Sequence, residues 1–240
     1  MKSQAKAVVI GGGVVGVSTL YHLARKGWTD VVLIERKELT SGSTWHAAGL
    51  LPLFNMSYSV GKLHQYSVRF YQELEQETGL SVGFSKVSNI RLACTQDRMD
   101  EYRYYSGVAK TVGVDVKFLT PEEVKAVWPM CNTEGLIGAI QHPEDGYIQP
   151  NDLTTALAKG ARARGAEIYR HTAVIGIEQL ENGHWLVKTD KGDITCDHVI
   201  SCTGSFARKT GDMVGLDIPV IPVEHQFIVT EPHPEIRSEE

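Results

Sequence analysis

Lys6-Ala7-Val8-Val9-Ile10-Gly11-Gly12-Gly13-Val14-Val15-Gly16 is the stretch whose reading decides the fold. Lys6 to Ile10 is a short apolar run, the mark of a central parallel strand covered on both faces. After the glycines, Val17, Leu20, Leu23 and Ala24 recur at helical spacing, and Arg25, Lys26 and Gly27 supply a basic last turn and a stop. Val31 to Ile34 is a second buried strand, which completes a βαβ opening. Gly11, Gly13 and Gly16 fit GxGxxG between strand and helix. The first permits a tight turn, the second lets backbone approach a pyrophosphate, and the third packs helix on sheet. Val14 and Val15 open the helix, whose free N–H groups carry roughly +0.5 of a charge toward phosphates. A glycine turn without a ligand is the plain alternative. Glu35 lies 19 residues after Gly16 at the end of the second strand, where a carboxylate accepts from ribose hydroxyls and repels a 2′-phosphate. A solvated glutamate is the alternative there. Arg36 beside it reads more as surface than as ligand, and is kept among the cofactor-side candidates.

The bulk numbers narrow the class. A chain of 240 residues with 42% hydrophobic and 22% charged residues is ordinary for a globular protein. A net charge of -5, with Lys and Arg scattered, argues against a nucleic-acid surface. The longest apolar stretch, residues 7–17, is too short to span a bilayer, contains four glycines and lacks a signal-peptide cleavage site. Cys94, Cys131, Cys196 and Cys202 show no CxxC pairing, which implies reduced thiols in a cytoplasmic setting, with neither disulfides nor zinc. A mature organellar protein freed of its leader would look the same.

Further along, Tyr58 to Glu77 reads as a long amphipathic helix with Leu63, Tyr66, Phe70 and Leu74 on one side. Residues 81–148 change to short strands, such as Ile90 to Cys94, and a charged helix from Gln96 to Val112. An Ala-rich helix, Asn151 to Arg164, is followed by a strand near Ile168. A hairpin comes next (Ala173 to Glu178, Trp185 to Thr189, Asp193 to Cys196), then a buried strand, Val199 to Cys202. Ile218 to Thr230 is strand-like. The expected class is α/β: a Rossmann-like FAD-binding domain (residues 1–80 and 146–217) interleaved with a mostly antiparallel substrate-domain portion (81–145 and 218–240). The strand ending in Thr203-Gly204 returns toward the dinucleotide, an arrangement that favours FAD over NAD. Val174, at the head of the hairpin, is a further cofactor candidate. The polar end suggests the front part of a longer protein.

The most informative segment is Thr40-Ser41-Gly42-Ser43-Thr44-Trp45-His46-Ala47-Ala48-Gly49-Leu50. Small side chains around one Trp-His pair let backbone approach a flat ring, and an imidazole there can reach a flavin methyl carbon. A solvated histidine, or one packed on the cofactor, are the alternatives. Ser43, Thr44, His46, Ala47, Gly49 and Leu50 are the cofactor candidates of this loop.

This segment resembles the flavinylation motif of the dimethylglycine and sarcosine dehydrogenase family, within the D-amino-acid-oxidase-like flavoproteins. The likeness extends over the whole chain, through the glycine motif, Asp145-Gly146-Tyr147-Ile148-Gln149-Pro150, the Thr-Gly turn and Pro222-Val223-Glu224-His225-Gln226-Phe227. It implies FAD joined covalently to His46 and a catalytic His225 that orients the amine or manages its proton. The reaction it implies is oxidation of a secondary or tertiary N-methylamine by hydride transfer to flavin, giving an iminium that yields formaldehyde or a one-carbon unit. A transfer flavoprotein, oxygen or a quinone would serve as acceptor. Tetrahydrofolate would enter only through a region beyond residue 240. Two other readings stand beside it: a non-catalytic flavoprotein-like regulatory subunit, and an amine or amino-acid oxidase using oxygen. Retention of both His46 and His225 argues against the first.

Overall fold

The computed structural model describes residues 1–224 together with Gln226, Ile228 and Glu231. In chain order the elements are β1 (Gln4–Ile10), α1 (Val14–Arg25), β2 (Val31–Ile34), a 3-10 turn (Ser43–His46), β3 (Leu50–Leu51), α2 (Tyr58–Thr78), β4 (Ser85–Lys86) and β5 (Asn89–Ala93). There follow α3 (Gln96–Val112), β6 (Lys117–Leu119), α4 (Pro121–Val127), β7 (Gly138–His142), β8 (Gly146–Tyr147), α5 (Pro150–Ala163) and β9 (Glu167–Tyr169). The chain continues with β10 (Val174–Gln179), β11 (Trp185–Thr189), β12 (Ile194–Ser201), a second 3-10 turn (Gly204–Phe206) and α6 (Ala207–Asp212). They gather into two compact units. One comprises Met1–Leu51, Tyr66–Ser85 and Tyr147–Ile221; the other comprises Pro52–Gln65, Lys86–Gly146 and the described residues from Pro222 onward.

The first unit is built on a six-stranded sheet ordered β10-β11-β12-β1-β2-β9. β12, β1, β2 and β9 run parallel, and β10 and β11 complete one edge antiparallel. The apolar runs explain the central place of β1 and β2, since their alternate side chains feed two cores. Ala7, Val9, Val31 and Leu33 join Val17, Leu20 and Tyr21 of α1, Phe70 and Leu74 of α2, and Leu157 and Ala161 of α5. Val8, Ile10, Val32 and Ile34 face the other way, with Ile177, Val187 and Ile194. Helix α1 lies close on α5 because Gly160 leaves room for the Tyr21 ring; a Cβ there would sit 2.6 Å from it. The Tyr21 hydroxyl donates to Glu77 at 2.7 Å, and Arg164 donates to the same carboxylate at 2.6 Å.

The second unit holds a three-stranded antiparallel sheet ordered β5-β7-β6. One face of it packs Ile90, Leu92 and Ala139 against Val124 of α4 and Cys131. Thr120 starts α4 with a full capping box to Glu123, and Pro121 takes the position where no N–H is needed.

Three expectations need correction. Leu63 and Tyr66 do not share the core face of α2: they are 61% and 47% exposed, while Phe70 and Leu74 are buried. Tyr66 instead stacks on Phe70 and bonds His22 through its hydroxyl. The third hairpin strand and the returning strand are one element, β12, which is buried at Ile194 and Cys196 and only half-buried at Val199 and Ile200. Ile218 to Glu224 forms no strand: Pro219 and Pro222 carry no N–H for a ladder, and Ile221 and Val223 are 80% and 85% exposed. The four cysteines are free thiols, and the described residues hold no cluster suited to a metal. No helix among them is long and apolar enough to cross a membrane.

Candidate functional site

The glycine turn sits at the carboxyl end of β1, between β2 and β12. Gly11 N–H donates to the Ile34 carbonyl at 2.9 Å, and Cys202 N–H donates to Ile10 at 2.8 Å. Gly11 has φ +114°, and a Cβ on it would lie 2.4 Å from the Cys202 carbonyl oxygen. A Cβ on Gly16 would lie 1.9 Å from the Gly11 carbonyl oxygen, so the helix can begin this close to the strand only on glycine. Sterics thus fix both positions. An α-helix leaves four leading N–H groups without an internal partner. In α1 the first internal bond is Val17 N–H to Gly13, and Val14 N–H is taken by Thr44 Oγ1 at 3.0 Å. The N–H groups of Gly13, Val15 and Gly16 remain to face an anion, at the positive end of the helix.

Glu35 closes on the same turn. Its carboxylate accepts from Gly12 N–H at 2.7 Å and from Lys37 N–H at 2.8 Å, and each oxygen keeps lone-pair capacity for a ribose hydroxyl. Arg36 is exposed, with its guanidinium 3.9 Å from the centroid of Phe206. Thr203 and Gly204 follow β12 after Cys202, and the Thr203 hydroxyl accepts from Thr210 at 3.0 Å. Val174 is half-buried at the start of β10, two residues after Thr172, whose N–H donates to the Glu35 carbonyl at 2.9 Å.

The histidine loop arrives at this turn as well. Thr40 N–H donates to the Gly12 carbonyl at 2.9 Å, and buried Thr44 reaches Val14. Ser43, Trp45, His46, Ala47 and Leu50 are exposed, and the Trp45 and His46 rings lie 3.7 Å apart. Trp45 and Leu50 are 56% and 69% exposed, an apolar surface beside a polar cradle. Gly49 (φ +74°) meets Ile148, whose N–H donates to its carbonyl at 2.9 Å, so Ile148-Gln149-Pro150 abuts the loop. Gly12, Thr40 and Phe206 were not among the expected site residues. Gly12 stood inside the glycine motif and Thr40 headed the histidine segment, whereas nothing in the order of residues marks Phe206. His225 lies outside the described residues.

The profile of the family described as FAD dependent oxidoreductase matches residues 6–240. The chain belongs to that family. The cradle fits the cofactor of the family: glycines where a side chain would block approach, outward N–H groups for phosphate, and an acid at the ribose position. Among its relatives, mitochondrial dimethylglycine dehydrogenase of Rattus norvegicus is 41% identical over 99% of the chain and 28% of its own length. Mitochondrial sarcosine dehydrogenase of Homo sapiens is 38% identical over 96% of the chain and 26% of its own length. The mitochondrial pyruvate dehydrogenase phosphatase regulatory subunit of Mus musculus is 36% identical over 97% and 27%. The chain therefore spans about a quarter of these relatives. The crystal structure of L-proline dehydrogenase from P. horikoshii superposes with a TM-score of 0.84 at 29% identity, over 90% of this chain and 57% of that one. The FAD dependent oxidoreductase fold is thus common to both.

Proposed function

We propose that this chain is the FAD-holding part of an enzyme that oxidises a secondary or tertiary N-methylamine of the dimethylglycine or sarcosine kind. The convergence of the glycine turn, Glu35 and the Thr44–His46 segment on one cradle carries the reading. The names of two dehydrogenase relatives support the substrate class. Bound FAD supplies a two-electron acceptor that takes hydride from the N-methyl carbon of an unprotonated amine, and the protein supplies position and electrostatics. The N–H groups of Gly13, Val15 and Gly16 hold the pyrophosphate, and Glu35 holds ribose. Arg36, Val174, Thr203 and Gly204 line the adenosine and phosphate side. Ser43, Thr44, Ala47, Gly49 and Leu50 shape the loop that carries His46. His225 orients the amine or holds its proton. The one-carbon product leaves as formaldehyde once the iminium is hydrolysed.

His46 is the proposed point of covalent attachment. Among the described residues its imidazole has a ring contact with Trp45 and no hydrogen bond, so its nitrogens are free to react. His46 would hold the flavin through a bond from a ring nitrogen to a methyl carbon, with the hydrogen lost from each atom passing to dioxygen. Acid precipitation of the purified protein tests this: flavin fluorescence should stay in the pellet for the native chain and wash out for His46→Ala. Complete release from the native chain would reject the attachment.

The relative named as a regulatory subunit favours a second reading, a flavoprotein fold without turnover. Anaerobic mixing with dimethylglycine or sarcosine separates the two. Bleaching of the flavin absorbance supports oxidation, and unchanged absorbance with both amines supports the regulatory reading. Two of the relatives' names bearing on catalysis are mitochondrial, and free thiols suit the mitochondrial matrix as well as the cytoplasm.

A further inference from the structure

Arg36 and Phe206 meet across the middle of the six-stranded sheet. Arg36 stands two residues beyond β2, and Phe206 closes the 3-10 turn beyond β12, with β1 between those strands. The three strands run parallel, so both residues stand at carboxyl ends, where the glycine turn leaves β1. Two strand spacings amount to about 10 Å, a span that an extended arginine and a phenyl ring cover together. Dinucleotides on open parallel sheets lie in the crevice outside these ends.

Both partners are held through their backbones. Glu35 N–H donates to the Tyr169 carbonyl at 2.8 Å, and Lys37 N–H donates to the Glu35 carboxylate at 2.8 Å, so Arg36 sits between two fixed residues. Gly204, with φ +54°, makes the left-handed turn that sends the chain from Thr203 into the 3-10 helix. Phe206 N–H then donates to the Thr203 carbonyl at 3.0 Å. The guanidinium carbon of Arg36 lies 3.9 Å from the ring centroid, the shortest cation–ring distance among the described residues. An edge-on approach would put an N–H between them and hold the carbon farther off, so the guanidinium lies flat on the ring. Among the described residues its fork makes no ion pair and no hydrogen bond, and the next acid along, Glu38, is taken by Arg170 and His171. One face is covered by Phe206. The other face, with every N–H of the fork, is open on an exposed side chain.

We infer that Phe206 is a positioning residue for the adenine of the dinucleotide: it holds the Arg36 guanidinium flat, and the adenine stacks on the face that remains. The inference rests on the reading that this cradle holds FAD, and not on the choice of amine. Glu35 marks the ribose, and adenine is the group joined to that ribose, so the residue after Glu35 is within reach of the base. A guanidinium plane offers a purine stacking area and edge donors together, which an ammonium does not. Without the ring, an exposed arginine samples many rotamers and has to be ordered when the cofactor arrives. The stack meets that entropic cost in advance.

The test is a double-mutant cycle in the full chain carrying His46→Ala, read by fluorescence titration with FAD. Phe206→Ala should weaken FAD binding about three- to tenfold, and Arg36→Ala about ten- to thirtyfold. With Arg36 already replaced by alanine, Phe206→Ala should change nothing further, because the ring acts only through the guanidinium. Phe206→Tyr, which keeps the ring, should keep the affinity. Arg36→Lys should bind as weakly as Arg36→Ala, since a point charge does not stack. An equal loss from Phe206→Ala in both backgrounds would give the ring a merely structural role and overturn the inference. Undiminished affinity in Phe206→Ala overturns it too, and undiminished affinity in Arg36→Lys does so by assigning Arg36 to a phosphate. A native chain that takes up no flavin would instead remove the FAD reading itself.

Discussion

At the scale of single residues, Glu35 shows how one side chain prepares a site. Its two oxygens hold Gly12 N–H at 2.7 Å and Lys37 N–H at 2.8 Å, so the glycine turn and the end of β2 are tied through one carboxylate. Charge-assisted bonds of this kind are the stronger ones, and removing the acceptor leaves two donors to find water. Glu35→Ala should therefore weaken FAD binding by about ten- to a hundredfold, from the lost bonds to backbone and ribose together. The measurement belongs in a His46→Ala background, where the flavin is free to exchange, and fluorescence titration reads it. An unchanged affinity would mean that Glu35 braces the loop without touching the cofactor.

Elements carry the next level of argument, because their ends decide where the site residues stand. Helix α4 begins with Thr120 accepting from Glu123 N–H and Glu123 accepting from Thr120 N–H. Thr120→Ala should cost about 1 kcal/mol of stability by denaturant unfolding. It should leave flavin content untouched, since α4 belongs to the second unit and the cradle residues to the first. β1, α1 and β2 were legible in the sequence because buried parallel strands are uninterrupted apolar runs and the glycines between them have one steric explanation. The histidine loop was legible by composition, since small residues crowd around one Trp-His pair. Its anchor through Thr40 was not, because a backbone N–H donating to Gly12 leaves no mark on side-chain type. Helix periodicity misled at Leu63 and Tyr66, where an apolar stripe continues past the part of α2 that meets the core. The grouping on β5 and β7 was equally hidden, because only the strand register sets Asn89, Arg91 and His142 on one face.

For the molecule as a whole, pH should act through two buried groups with opposite signs. Burial, with Arg91 adding to it, pushes His142 down from 6.5 to about 4, and burial pushes Asp145 up from 3.8 to about 6. Neither group figures among the causes of the other's shift, so the two can be treated separately. A raised acid favours its protonated form in the folded state. The stability from Asp145 is thus full below about pH 3.8 and is lost as pH rises through 6. A depressed histidine favours its neutral form, so the stability from His142 is full above about pH 6.5 and is lost as pH falls through 4. Each is worth at most about 3 kcal/mol across its window. Between about pH 4 and pH 6 the slopes oppose and largely cancel in the native chain. Single variants should expose them. Relative to the native chain, Asp145→Asn should gain stability as pH rises through this window, because the opposing His142 slope is left alone. His142→Gln should lose stability over the same range. Urea unfolding of the three proteins at about pH 4, 5 and 6.5 checks the argument, and three parallel profiles would show that neither group keeps its shifted titration in the folded protein.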